Sequence, residues 1–284
     1  MLNKEHLNPK NILNKIRTIY KENYQEPNIG MIEVVLKDVI DLFSGKRKGF
    51  LKCDTRYHDL SHTLQVIQPF IGMIDGWNKS ENSPNISREF FDIGIIAVLL
   101  HDTGYIKTSD DMDGTGAKHT FIHTYRSADF AAHYLLEIGF EKHKICSIQN
   151  AIMCTGVKVD YNKLLFNSEK ERIIGYALGI ADLLGQMSAV DYLEKLSVLY
   201  SEFEEAYRYE GIERLHEKGI AMFESVDDLI RKTPYFYENV VMGMFKEMDS
   251  LYKYLTYHFN DSRNPYIEAI EENIKKIRFI SITQ

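Results

Sequence analysis

Ile93-Gly-Ile-Ile-Ala-Val-Leu-Leu100 runs without a polar side chain straight into His101-Asp102. A stretch apolar on every side is a buried helix rather than a surface one, so Glu89 to His101 is predicted as a helix in the core. It delivers an imidazole and a carboxylate to a poorly solvated place. An ionised carboxylate is costly to bury without a partner, and such groups are paired or bound to metal. Upstream stands a second polar cluster, Tyr57-His58-Asp59-Leu60-Ser61-His62, and six of the ten histidines fall between His58 and His133. A metal ion is the economical explanation.

Helical periodicity extends outward in both directions. Ile12, Ile16, Ile19 and Tyr20 mark a first amphipathic helix, and Ile32 to Phe43 a second, ended by Ser44-Gly45. Leu60 to Trp77 repeats apolar residues at Leu64, Ile67, Ile71 and Ile74. Asn78 to Ser87 and Thr108 to Gly116 read as loops. Further helices are predicted at Tyr125–Ile138, Lys142–Met153, Glu169–Met187, Val190–Tyr207, Gly211–Arg231, Tyr235–Phe259 and Pro265–Ile277. No alternating pattern persists, so the expected fold is all-α, a single domain over residues 1–284 with little sheet.

Composition narrows the function classes. A chain of 284 residues with 44% hydrophobic and 26% charged residues is that of an ordinary globular protein. A formal net charge of −7 excludes a generic nucleic-acid-coating surface, though not a small phosphorylated substrate in a local basic pocket. The longest apolar run has eight residues, too short for a bilayer. The polar stretch Met1 to Lys10 does not resemble a signal peptide, and three cysteines without CxxC spacing suit reduced thiols. The expected location is the cytoplasm, with no membrane partner.

His58 and His62 stand four apart, which on a helix puts both on one face. The plain alternative is a polar helix start capped by Asp59 or Ser61. His101 and Asp102 point about 100° apart on a helix, yet at its end both can reach one ion, and Gly104 is expected as the glycine of a helix stop. Their alternative is a histidine stabilising the helix terminus. Asp182, inside the apolar segment Gly179 to Gly185, needs either a metal or a polar partner on a neighbouring helix.

In chain order, His62, His101-Asp102 and Asp182 resemble the H…HD…D pattern of the HD-domain superfamily of metal-dependent phosphohydrolases. The resemblance spans roughly residues 54–192. Tyr57-His58-x-x-x-His62 also resembles the opening motif of the class I cyclic nucleotide phosphodiesterases, although Asp59 stands where that motif has asparagine. Thr103-Gly104-Tyr105 likewise replaces the continuation of the phosphodiesterase HDxxHxG motif.

The resemblance implies an HD-domain helical bundle with additional flanking helices. His62, His101, Asp102 and Asp182 would hold one divalent ion (Mn, Mg, Ni, Zn or Fe), with Asp102 able to bridge to a second. His58 would be the general acid, and His123 a ligand of the second ion. Ile152-Met153-Cys154-Thr155 lacks the further histidine that two-metal members supply, leaving water or His119 for that role. Lys118 and Arg126, like Arg56 and Lys107, are near enough in sequence to grip a phosphate, and Gln186 is placed to bond a nucleobase. The loop Ser109 to Gly114 reads as a mobile flap. The Tyr-rich stretch Tyr235 to Tyr257 suits core packing or a homo-oligomer contact. The expected activity is hydrolysis of a nucleotide or small phosphodiester. The alternatives are a di-iron HD-domain oxygenase or a metal-bound nucleotide sensor without turnover.

Overall fold

The computed structural model describes residues 8–25, 28–80, 84–156, 159–217, 219–220 and 222–283. Most of the Met1–Lys10 stretch and the middle of the Asn78–Ser87 loop lie outside them. The helices are α1 (Pro9–Tyr24), α2 (Gly30–Phe43), α3 (Leu60–Lys79), α4 (Arg88–Leu100), α5 (His123–Glu137), α6 (Lys142–Met153), α7 (Glu169–Met187), α8 (Tyr192–Glu210), α9 (Ile212–Glu217), α10 (Val226–Tyr235), α11 (Met242–Glu247), α12 (Leu255–Phe259) and α13 (Pro265–Thr283). The fold is all-α. Among the described residues the only β-type pairing is an isolated antiparallel bridge between Phe50 and Thr108.

Local chemistry sets the helix starts that matter. Asp59, in extended conformation, accepts from the His62 N–H at 2.9 Å and so begins α3 at Leu60. Ser168 does the same for α7 through the Glu171 N–H, with Glu169 and Glu171 in the first turn facing the positive helix end. At the end of α4 the Thr103 hydroxyl donates to the Leu100 carbonyl, and a short 3-10 turn, Thr103–Tyr105, leads away.

α3, α4 and α7 form the centre. α3 packs along α7 and crosses α4; α4 also meets α6 and α7; α5 lies against α6. Ile93 to Leu100 is buried at every position, as its composition predicts. Buried side chains from Ile12 in α1 to Ile277 in α13 join one contiguous hydrophobic core. α12 seats on α3 where Gly76 leaves room: a Cβ there would stand 1.8 Å from the Tyr254 carbonyl oxygen.

Two expected long helices are broken. The segment predicted as one helix over Gly211–Arg231 holds α9, then a turn, then the start of α10; residues 218 and 221 lie outside the described residues. The Tyr235–Phe259 segment passes through a π-helical turn, Phe236–Val241, and stops where Asp249 and Ser250 adopt φ of 57° and 52°. That left-handed backbone cannot continue a helix. No single helix among the described residues is long and apolar enough to cross a membrane. α7 and α8 meet at 111°, and α8 packs against the Gly116–His119 turn.

Candidate metal centre

Three central elements send polar atoms to one point. His62 comes from the first turn of α3, His101 and Asp102 from the end of α4, and Asp182 from the middle of α7. His62 Nε2 lies 3.3 Å from Asp102 Oδ2 and 3.0 Å from Asp182 Oδ1. His101 Nε2 lies 3.3 Å from Asp102 Oδ2 and 3.8 Å from Asp182 Oδ1. Two ligand atoms each about 2.0–2.1 Å from one tetrahedral ion are about 3.3 Å apart, so these separations are compatible with ligand atoms around one ion.

His101 Nδ1 is 2.7 Å from the Val98 carbonyl oxygen. That oxygen only accepts, so Nδ1 carries the hydrogen, and it is Nε2 that faces the cluster and offers its lone pair whenever the ring is neutral. His62 Nε2, His101 Nε2 and Asp102 Oδ2 are all buried and none has a hydrogen-bond partner. Buried polar atoms are seldom left so. The group His62, His101 and Asp102 can hold a metal ion, its ligand atoms lying within 4.8 Å of one another.

The charges are tightly coupled. Burial disfavours a proton on His101, but Asp102 and Asp182 outweigh it and raise the imidazole to about 9. The imidazoles of His101, His62 and His58 hold Asp102 below the usual carboxylate range against its own burial. Gln186, one turn after Asp182, donates to Asp182 Oδ1 at 2.7 Å and accepts from the Tyr57 hydroxyl at 3.3 Å. It therefore orients a carboxylate rather than projecting freely toward a base.

His58 differs from its expected place. It lies before the N-cap of α3, not on a shared helix face with His62, and the two rings stand perpendicular with centroids 5.8 Å apart. Its anchor is Glu202 of α8, whose Oε2 is 2.7 Å from His58 Nδ1. Glu202 Oε1 accepts the Arg56 and Tyr57 N–H groups at 2.8 and 2.7 Å. Burial works against a charged His58, and Glu202 overcomes it and raises the imidazole. The sequence reading passed over Glu202. Its signal was position alone: Glu202 sits between Leu199 and Ala206 in one helical row.

Tyr105 fixes two imidazoles at once. Its ring stacks on His58 at 4.4 Å and on His123 at 4.7 Å. His123 opens α5, gives its Nδ1 hydrogen to the Thr120 carbonyl at 2.7 Å and holds Nε2 3.9 Å from Asp102 Oδ1. Gly104 makes this approach possible, though not as a left-handed helix stop, since it is not among the positive-φ glycines. A Cβ there would lie 2.1 Å from the His123 carbonyl oxygen.

The remaining candidates are engaged elsewhere. Lys118 is buried and bonds Asp111 Oδ1 at 2.5 Å and the Asp113 carbonyl at 2.6 Å. Arg126 donates to the Gly104 and Ile106 carbonyls at 2.7 and 3.2 Å. Lys107 is buried and holds the Gly114 carbonyl and Asp54. His119 faces Asp111 at 3.5 Å and the Tyr209 ring, not Asp102. The loop read as a mobile flap is strapped by both lysines and by Glu205, which receives the Thr115 N–H and hydroxyl.

The fold and centre define a class: an all-α protein with a buried imidazole–carboxylate cluster able to hold a metal ion. The Npun_R2479-like family model matches residues 2–277, and the chain belongs to that family. No curated protein and no solved structure matches it.

Proposed function

We propose that this protein is an HD-type metal-dependent phosphohydrolase acting on a nucleotide or small phosphodiester. The observation carrying this reading is the unpartnered trio His62 Nε2, His101 Nε2 and Asp102 Oδ2, buried at one point. Asp182 completes the ligand set and His123 is available to a second ion beside Asp102. A divalent ion supplies a charge that acidifies water and withdraws electron density from phosphoryl oxygens. Mn, Mg, Ni, Zn and Fe all suit nitrogen and carboxylate donors to some degree.

The chain's own residues supply the rest. Glu202 holds the Nδ1 hydrogen of His58 and favours the charged imidazole, so Nε2 can give a proton to a leaving oxygen. A sensor would have no use for that pair, which favours turnover over passive binding. The acidic chain disfavours a polymeric polyanion, and the free cysteines suit a reducing cytoplasm.

The test is elemental analysis followed by a panel of cyclic mononucleotides, cyclic dinucleotides, nucleoside mono- and triphosphates and bis(p-nitrophenyl) phosphate, each with Mn²⁺, Mg²⁺, Ni²⁺, Zn²⁺ or Fe²⁺. Metal-dependent ester release is expected. Dioxygen uptake by the iron form without ester release would install the oxygenase instead, and tight nucleotide binding without product would install the sensor.

A further inference from the structure

The cations first expected to grip a phosphate are bound to the protein itself. Lys107, Lys118 and Arg126 spend their donors on carbonyl and carboxylate oxygens. Lys195 of α8 does not. It is half-buried, and no carboxylate among the described residues lies within ion-pair distance of its Nζ. It precedes Glu202 by seven residues, two turns of helix, so both leave α8 on nearly the same side.

The Lys195 Nζ stands 6.0 Å from the centroid of the Tyr57 ring. That ring lies 5.0 Å from the His58 ring and 6.3 Å from the His62 ring, and its hydroxyl reaches Asp182 through Gln186. The ammonium thus rests on a ring that also borders the proton donor and the ligand cluster. The face of an aromatic ring is a shallow resting place for a cation, and an anion with oxygens to offer is a stronger partner.

We propose that Lys195 is a substrate-binding residue that takes a non-bridging phosphate oxygen beside the metal centre, with α8 supplying both this cation and the support of the proton donor. Two carboxylates and one divalent ion sum to zero, and a charged His58 is balanced by Glu202, so Lys195 is the further positive charge that attracts the anion. This rests on the phosphohydrolase reading.

The probes are inorganic phosphate, titrated calorimetrically into the Zn²⁺-loaded and metal-free protein, and bis(p-nitrophenyl) phosphate for turnover. Lys195→Met, which keeps the stem over Tyr57, should weaken phosphate binding and raise KM by about tenfold or more, with kcat, melting temperature and metal content little changed. Lys195→Arg should restore binding to within about threefold, and Lys37→Ala, an exposed side chain on α2, should change it less than about threefold. A Lys195→Met protein that binds phosphate and turns over like wild type overturns the assignment and leaves the phosphohydrolase reading standing. A wild-type protein that neither binds phosphate nor cleaves any ester overturns both.

Discussion

Asp75 and Asp102 are both buried carboxylates of the central helices, and they could hardly be treated more differently. Asp75, on α3, is 0% exposed and fully bonded: Asn23 Nδ2 at 2.7 Å, His258 Nδ1 at 2.6 Å and Lys79 Nζ at 2.7 Å. Asp102, 2% exposed, keeps Oδ2 without a hydrogen bond while two imidazole nitrogens beside it also lack one. A satisfied buried carboxylate ties α1, α3 and α12 together. An unsatisfied one facing two unpartnered imidazole nitrogens is a place for a cation. Burial alone does not distinguish structure from site; the state of the hydrogen bonds does.

The sharpest way to break this contrast is Asp102→Ala. Metal content by elemental analysis should fall to background and activity with it, while the metal-free protein should still melt cooperatively. Stoichiometric metal in that variant would dissolve the distinction. Next in size is His58→Ala, expected to lose about 10²–10⁴-fold in turnover while retaining its metal. Loss of metal as well would make His58 a ligand.

Asp75→Ala should do the reverse of Asp102→Ala, leaving metal untouched and costing about 3 kcal/mol of stability in urea titrations, because Lys79, His258 and Asn23 lose their acceptor. Its pH signature follows from sign. Burial opposes the charge, but the His258, Lys79 and Asn23 bonds win and the carboxyl is held below its ordinary 3.8. Its stabilisation is complete above 3.8 and is lost as the pH falls through the lower folded value. Asp75→Asn should remove that acid dependence.

A third carboxylate calibrates the middle of the scale. Asp92 of α4 is partly exposed beside Ile93, Ile96 and Phe140 in a surface cavity of about 390 Å³, and burial raises its carboxyl to about 7. A raised carboxyl destabilises the fold progressively as pH climbs from 3.8 to about 7. Asp92→Asn should flatten that decline. An unchanged slope would show that water reaches Asp92 freely.

The central architecture was legible because its cause is local. Ile93 to Leu100 marks a buried element, here a helix, and His101-Asp102 emerges at its end. Asp182 stood out as a charge in an apolar row. What escaped the sequence depends on distant partners. Glu202 matters through His58, 144 residues away, and nothing near either residue announces the pair. Lys118 and Arg126 looked available because their carbonyl partners are positioned only by the folded loop. The break within Tyr235–Phe259 escaped because apolar spacing runs on through the left-handed residues Asp249 and Ser250.

The stacking of His58 and His123 on Tyr105 gives the molecule a built-in reporter. A tyrosine ring in a magnetic field shields protons that lie above its face, so the carbon-bound protons of both imidazoles should resonate upfield of ordinary histidines. Any cation that draws His123 toward Asp102 would slide that ring across the tyrosine and move its signals. The centre's occupancy can thus be read from two proton resonances, with no substrate in hand.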